Sequence, residues 1–233
     1  MFSGRITSSI AIGATAVAIG GGAYGIVSAP ASTGLGTAAT ASSSSVTIPG
    51  KGGSNARSGP AAGGSSGTVN SVSKSKFTIT TPAGQKVTVK KASSTKYRKG
   101  TSSSSASAVK KGVSVLVLGA TNGTTITAGR VVVQPTGGST TPAAAGVVPF
   151  KRGAQSTSKQ VGQIPANYSQ GSGTIVSAPA AYKATEAALA AYPGGVVDRV
   201  VKLSNGEYEV HNIGVNWPHH IFVSRAFKVL GAN

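Results

Sequence analysis

Residues 181–211, AYKATEAALAAYPGGVVDRVVKLSNGEYEVH, decide how the C-terminal part of this chain folds. Residues 183–192 are strong helix formers, and Tyr182, Thr185, Leu189 and Tyr192 recur at offsets of three, seven and ten along one face, which predicts an amphipathic helix. Pro193-Gly194-Gly195 ends it, because proline cannot continue the hydrogen-bond ladder and glycine accepts the left-handed conformation that follows many helices. Val196 to Leu203 and Glu207 to Ile213 then read as strands joined through Asn205-Gly206, which suits a type I′ hairpin. Two further runs, His219 to Ser224 and Phe227 to Leu230, are rich in β-branched and aromatic residues. The expected order is a helix followed by an antiparallel sheet.

Around that stretch the pattern Ala187 to Gly195, Asp198-Arg199-Val200, Gly206 to His211, His219 to Val223 and Phe227 to Gly231 resembles a PepSY domain, a family named for peptidase propeptides. The resemblance covers roughly a quarter of the chain. It implies a small helix-plus-sheet module, exported or facing outward, that binds or restrains peptidases and has no catalytic residues of its own. Gly214-Val215-Asn216-Trp217-Pro218 departs from the family pattern, which has a more polar turn there.

Composition sets wider bounds on the 233 residues. With 33 Gly, 11 Pro and 5% aromatic residues, two small modules joined by linkers fit better than one large core. The absence of cysteine excludes a disulfide framework, a thiolate metal site and a lipoprotein anchor. The net charge of +18 is unevenly distributed: residues before 181 hold seventeen basic and no acidic side chains, whereas the remainder holds five basic and four acidic ones.

At the N-terminus, residues 1–31 follow Arg5 with an apolar stretch marked by Ile6, Ile10, Val17, Ile19 and Val27. Two readings stay open, a signal peptide cut after Ala29-Pro30-Ala31 and a retained transmembrane helix. Either one places the rest outside the cytoplasm, so the protein is expected to be exported, either anchored in the membrane facing outward or secreted. Residues 32–66 are Ala, Ser, Thr and Gly without an apolar period and predict a disordered linker.

Residues 67–134 alternate apolar with polar side chains at Phe77 to Thr80, Lys86 to Lys90, Val113 to Val115 and Thr124 to Val133, the pattern of half-buried strands. Pro82-Ala83-Gly84 and Thr121 to Thr124 supply tight turns, and residues 93–111 read as a longer polar connection. Five or six short strands in this span predict a closed or nearly closed β-barrel. The Gly67-Thr68-Val69, Phe77-Thr78-Ile79 and Val87-Thr88-Val89 runs, with Lys111-Gly112-Val113 and Ala128 to Val131, resemble an uncharacterised OB-like domain of exported bacterial proteins. Residues 135–178, interrupted by Gly137-Gly138, Pro142, Pro149 and Pro165, predict a second disordered linker, in which Val147 to Phe150 and Ile164 to Tyr168 can dock on a neighbouring surface. Residues 179–233 form the PepSY-like α+β module. The expected fold class is mainly β, an OB-like barrel plus a C-terminal helix packed on an antiparallel sheet.

Three sets of residues invite a functional reading. Lys86, Lys90, Lys91, Lys96, Arg98 and Lys99 make a basic face suited to anionic surfaces or polymers. Single-stranded nucleic acid needs aromatic stacking platforms besides cations, and only Phe77 and Tyr97 are available, with Phe77 assigned to the core. His211, His219 and His220 are the sharpest metal candidates. Neighbours on a strand point to opposite faces, so His219 and His220 are not expected to join His211 on one side, and no metal or cofactor is assigned. Glu207 and Glu209 read as solvated partners for cations across the sheet. No nucleophile elbow, phosphate loop or dinucleotide fingerprint is present, and no enzymatic activity is expected. The expected function is an exported binding module that contacts or inhibits a peptidase or another exported protein through its PepSY-like domain. The alternative is a protein that associates with anionic envelope polymers through its barrel.

Overall fold

Alanine, glycine and serine at residues 61–67 lack the side-chain bulk of an ordinary strand, yet they form the first half of the strand on which the fold turns. In the computed structural model, which describes residues 60–135, 146–153 and 159–233, β1 (Ala61–Val72) pairs with three other strands. Residues 61–68 run antiparallel to β5 (Ser114–Asn122), residues 68–72 run antiparallel to β2 (Lys76–Thr80), and Gly64 and Ser65 meet β10 (Val196–Lys202) on the other edge. A Cβ on Gly63 would collide with the Val197 carbonyl, and one on Gly64 with the Val117 carbonyl. The small-residue run read as a spacer is therefore a strand at its end, because only glycine lets three backbones approach this closely.

From β1 the sheet continues through β2, β3 (Lys86–Lys99), β6 (Thr125–Val133) and β5, with β3 and β6 parallel. A short β4 (Ser102–Ser104) pairs with the end of β3. The connection expected over residues 93–111 is thus strand as far as Lys99 and again at 102–104, since Thr95 and Tyr97 turn toward the interior. Val69, Phe77, Ile79, Val87, Val89, Val117 and Ile126 fill one core. The sheet is mainly antiparallel and is not a closed barrel, because β1 passes on to β10 and carries it into the C-terminal strands.

The C-terminal half follows the order expected of it. The helix α1 (Ala178–Ala191) ends at the Tyr192 cap before Pro193-Gly194-Gly195. β10 and β11 (Tyr208–Ile213) form a hairpin in which Gly206 has φ 84°. β13 (His220–Val223) and β14 (Val229–Ala232) complete an antiparallel run. Between β11 and β13 lies β12 (Val215–Trp217), where a turn is expected from the family pattern. Val215, Asn216 and Trp217 are all buried there, and β12 pairs with β7 (Val148–Pro149) in a separate two-stranded sheet.

Of the span predicted to be a linker, the described residues include β7, β8 (Val161–Gly162) on β14 and β9 (Thr174–Ile175) on β10. Ile164 and Tyr168 pack against Val201, Leu203 and Phe222. The described residues all belong to one compact unit. The spans expected as separate modules are joined through β1 and β10, and α1 covers both of them. Its Ala181, Ala184, Ala188 and Leu189 pack on Leu116 and Leu118 of β5 and on Val197, Val200, Val210 and Trp217. The apolar stretch with Ile6, Ile10, Val17, Ile19 and Val27 lies outside the described residues, among which no helix is long and apolar enough to cross a membrane.

Candidate functional site

The cationic face is built by strand alternation on β2, β3 and β6. Val87 and Val89 point inward, so Lys86, Thr88 and Lys90 point out, and Lys76 lies directly opposite Lys90 on β2. Like charges opposed across two strands cost a few tenths of a kcal/mol or more. Past Lys91 the register of β3 against β6 shifts, and the bulge is held by Thr95, whose Oγ1 donates to the Ala128 carbonyl at 2.7 Å and accepts from the Ala92 amide at 2.9 Å. Lys96 and Arg98 emerge from it on the outer face, and Lys99 ends the strand. The Lys91 ammonium is tied to the Ser73 carbonyl.

Arg130 belongs to the same face, although its position in a strand-like run reads as unremarkable. The register of β6 against β5 slips between Leu118 and Gly119, opposite Gly129, and this turns Arg130 to the outside as the Cα partner of Lys96. A Cβ on Gly129 would come within 2.5 Å of the Tyr182 hydroxyl, and the Arg130 guanidinium sits 5.8 Å from the centre of that ring. A lone glycine inside a strand is the signal that could have located the bulge. Among the described residues Asp198 pairs with Arg199 and His211, and Glu209 with His220, the histidine contacts being ionic only when the imidazole is protonated, so no carboxylate takes a cation from residues 61–133.

The second cluster lies in the C-terminal sheet. His211 and His220 are direct partners on β11 and β13, with ring centres 5.3 Å apart. His219 joins them, 6.4 Å from His211 and 6.5 Å from His220. This corrects the expectation from strand alternation: His219 precedes the first residue of β13, so alternation does not govern it. The His211 Nδ1–H donates to Asp198 Oδ1 at 2.6 Å. That leaves Arg199 Nη1, 2.9 Å from the same nitrogen, as a neighbouring charge rather than a second donor to it.

Glu209 is not solvated, as its spacing from Glu207 suggests, but is buried with 1% exposure. It accepts from His220 Nδ1–H at 2.6 Å and from the Tyr168 hydroxyl. Burial and the Glu209 charge push the Tyr168 hydroxyl far above its ordinary value, against a smaller opposing effect of Arg199. Both outer imidazoles are thus oriented by carboxylates, as metal-binding histidines often are. Even so, no group of three or more such side chains among the described residues is placed to hold a metal ion.

No protein-family model, curated protein or solved structure matches this chain.

Burial, helped by the neighbouring His211 and His220, lowers the His219 pKa from 6.5, partly offset by a hydrogen bond to the Asn212 backbone. A histidine that protonates less readily when folded lends its full stability above the unfolded value and loses it as pH falls. Unfolding free energy should therefore drop as pH is lowered below 6.5. His219→Gln should flatten that slope in urea titrations from pH 7.5 to 5; an unchanged slope would assign the pH dependence elsewhere.

Proposed function

We propose that this protein is a non-enzymatic binding module that associates with an anionic polymer through the outer face of β2, β3 and β6. The observation that carries this reading is that face itself. Lys76, Lys86, Lys90, Lys96 and Arg98 are exposed together, Lys76 opposite Lys90, while every carboxylate of the chain lies at residue 186 or later. A uniformly cationic surface attracts polyanions over several ångströms and pays a repulsion that a bound anion removes.

The finer reading of the first five long strands is an incompletely closed OB-like unit. Its support is the order β1, β2, β3, β6, β5, with β1 meeting both β2 and β5 and with β3 parallel to β6. For the C-terminal half, the PepSY-like reading rests on a helix followed by the β10, β11, β13, β14 meander. There β1 and β9 occupy the β10 edge and β8 the β14 edge, so strand addition by a peptidase has no open long edge to use, and this favours the polymer reading over the peptidase one. Export, by signal peptide or anchor, belongs to the proposal through the pattern of residues 1–31.

The test is binding of the full chain to a long polyphosphate and to poly-glutamate, followed by fluorescence anisotropy. Affinity should fall roughly tenfold or more between 0.05 and 0.5 M salt. The double substitution Lys86→Glu, Lys90→Glu should weaken binding by at least about tenfold, since it reverses charge at the centre of the face. Lys202→Glu with Lys228→Glu, exposed on the C-terminal half, should have less than about a threefold effect. Equal losses in the two double variants would sink the assignment of the face.

A further inference from the structure

The geometry points to a subsite for a phosphate-type oxyanion in the cleft between β3, β4 and β6. The inference rests on the anionic-polymer reading and adds to it a specific chemistry at one end of the face. The cleft has a volume of about 510 Å³ and is lined by Thr95, Lys96, Tyr97, Arg98, Ser103, Ser104 and Arg130. It therefore brings two arginines, one lysine and the serines of β4 to a single concavity, with no carboxylate among them.

Two independent backbone features create this arrangement. The β3 bulge, locked by the two Thr95 hydrogen bonds, sets Lys96 and Arg98 on the outer face, and the slip at Gly129 sets Arg130 there as well. Lys96 and Arg130 are register partners on adjacent strands, so their backbones are about 4.8 Å apart, and Arg98 lies two residues, about 6.6 Å, further along. Two bulges in neighbouring strands, tied together by Thr95 Oγ1 on the Ala128 carbonyl, re-aim side chains toward one point, which is the common use of bulges beside binding sites.

Arg130 is the member that gives chemical selectivity. Its guanidinium lies near the Tyr182 ring of α1, which limits its rotamers before any ligand arrives. A guanidinium held in this way presents paired N–H donors to the oxygens of one tetrahedral anion, whereas a lysine ammonium acts as a point charge. Ser103, opposite Arg98 on β4 and so on the same face, adds a neutral donor for a remaining oxygen. A carboxylate polymer satisfies the charge of the cleft but offers only two oxygens per group to this many donors. Phosphate groups are the better match.

The decisive comparison uses the full chain with polyphosphate and with poly-glutamate matched in charge, and inorganic phosphate as competitor. The wild-type protein should bind polyphosphate at least tenfold more tightly than poly-glutamate, and millimolar inorganic phosphate should reduce that preference. Arg130→Gln should lose about tenfold in polyphosphate affinity while poly-glutamate changes less than twofold. Arg130→Lys keeps the charge but not the fork and should lose most of the same preference. Unfolding midpoints verify that each variant is folded; should Arg130→Gln fail that check, Arg130→Lys and Lys96→Met carry the comparison. An Arg130→Lys protein that keeps the preference, or parallel losses for both polymers, overturns the subsite while leaving the polyanion reading in place. A wild-type protein that binds neither polymer overturns both.

Discussion

Trp217→Ala should lower the unfolding free energy by about 4 kcal/mol, the range for truncating a fully enclosed large aromatic side chain. Trp217 is 1% exposed. Its ring meets Tyr192 edge-on at 5.6 Å, its indole Nε1–H donates to the Lys159 carbonyl at 2.5 Å, and the Lys159 ammonium lies 4.8 Å from its ring centre. It thereby joins the end of α1, the β7–β12 sheet and the segment before β8. A domain of this size has on the order of 5–15 kcal/mol to lose, so the variant should unfold at a much lower urea concentration. Trp217→Phe keeps the aromatic contact with Tyr192 and should recover more than half of the loss. If Trp217→Ala shifts the midpoint no more than an exposed substitution does, β12 is not part of the core.

Glu209→Ala should cost about 3 kcal/mol, because removing a buried carboxylate leaves the donors hydrogen-bonded to it unsatisfied. Here two donors lose their acceptor at once, the His220 imidazole and the Tyr168 hydroxyl. Glu209→Gln keeps an acceptor oxygen and should cost clearly less. Glu207→Gln, which sits in the hairpin turn and accepts from Asn205 Nδ2 at 2.8 Å, should stay within about 0.5 kcal/mol. Urea unfolding of the three variants at pH 7.5 orders them, and a Glu209→Ala protein as stable as Glu207→Gln would contradict the burial of that carboxylate.

These two positions also mark the boundary of what the sequence makes legible. The helix stop and the hairpin are readable because proline and glycine impose local conformations wherever the chain later packs. Glu209 is not readable, since its spacing from Glu207 gives strand parity but not whether that face is covered. Coverage comes from Tyr168, forty-one residues away by number, in a stretch whose composition resembles a linker. The Gly-Ser run at residues 63–67 misleads for a related reason: composition reports how much surface a segment can bury, while close backbone approach depends on having little to bury.

The basic face is legible through β3 alone, because alternation on one strand needs no tertiary information. Arg130 and the gathering of His219 with His211 and His220 require knowing where a strand bulges or begins. Ser114 to Gly119 held a signal that alternation hides. Val115 and Val117 enter one core, and Leu116 and Leu118 the other, so a continuous apolar run denotes a strand covered on both sides.

The strand β1 has a consequence for how the chain is made. Ser65 Oγ donates to the Gly195 carbonyl across 130 positions of sequence, so one flank of β1 is completed only by residues synthesised much later. At ordinary elongation rates that interval is on the order of ten seconds. During it the nascent polypeptide carries an unfinished ladder of amides and carbonyls, guarded chiefly by the scarcity of large apolar groups in its Gly-Ser stretch.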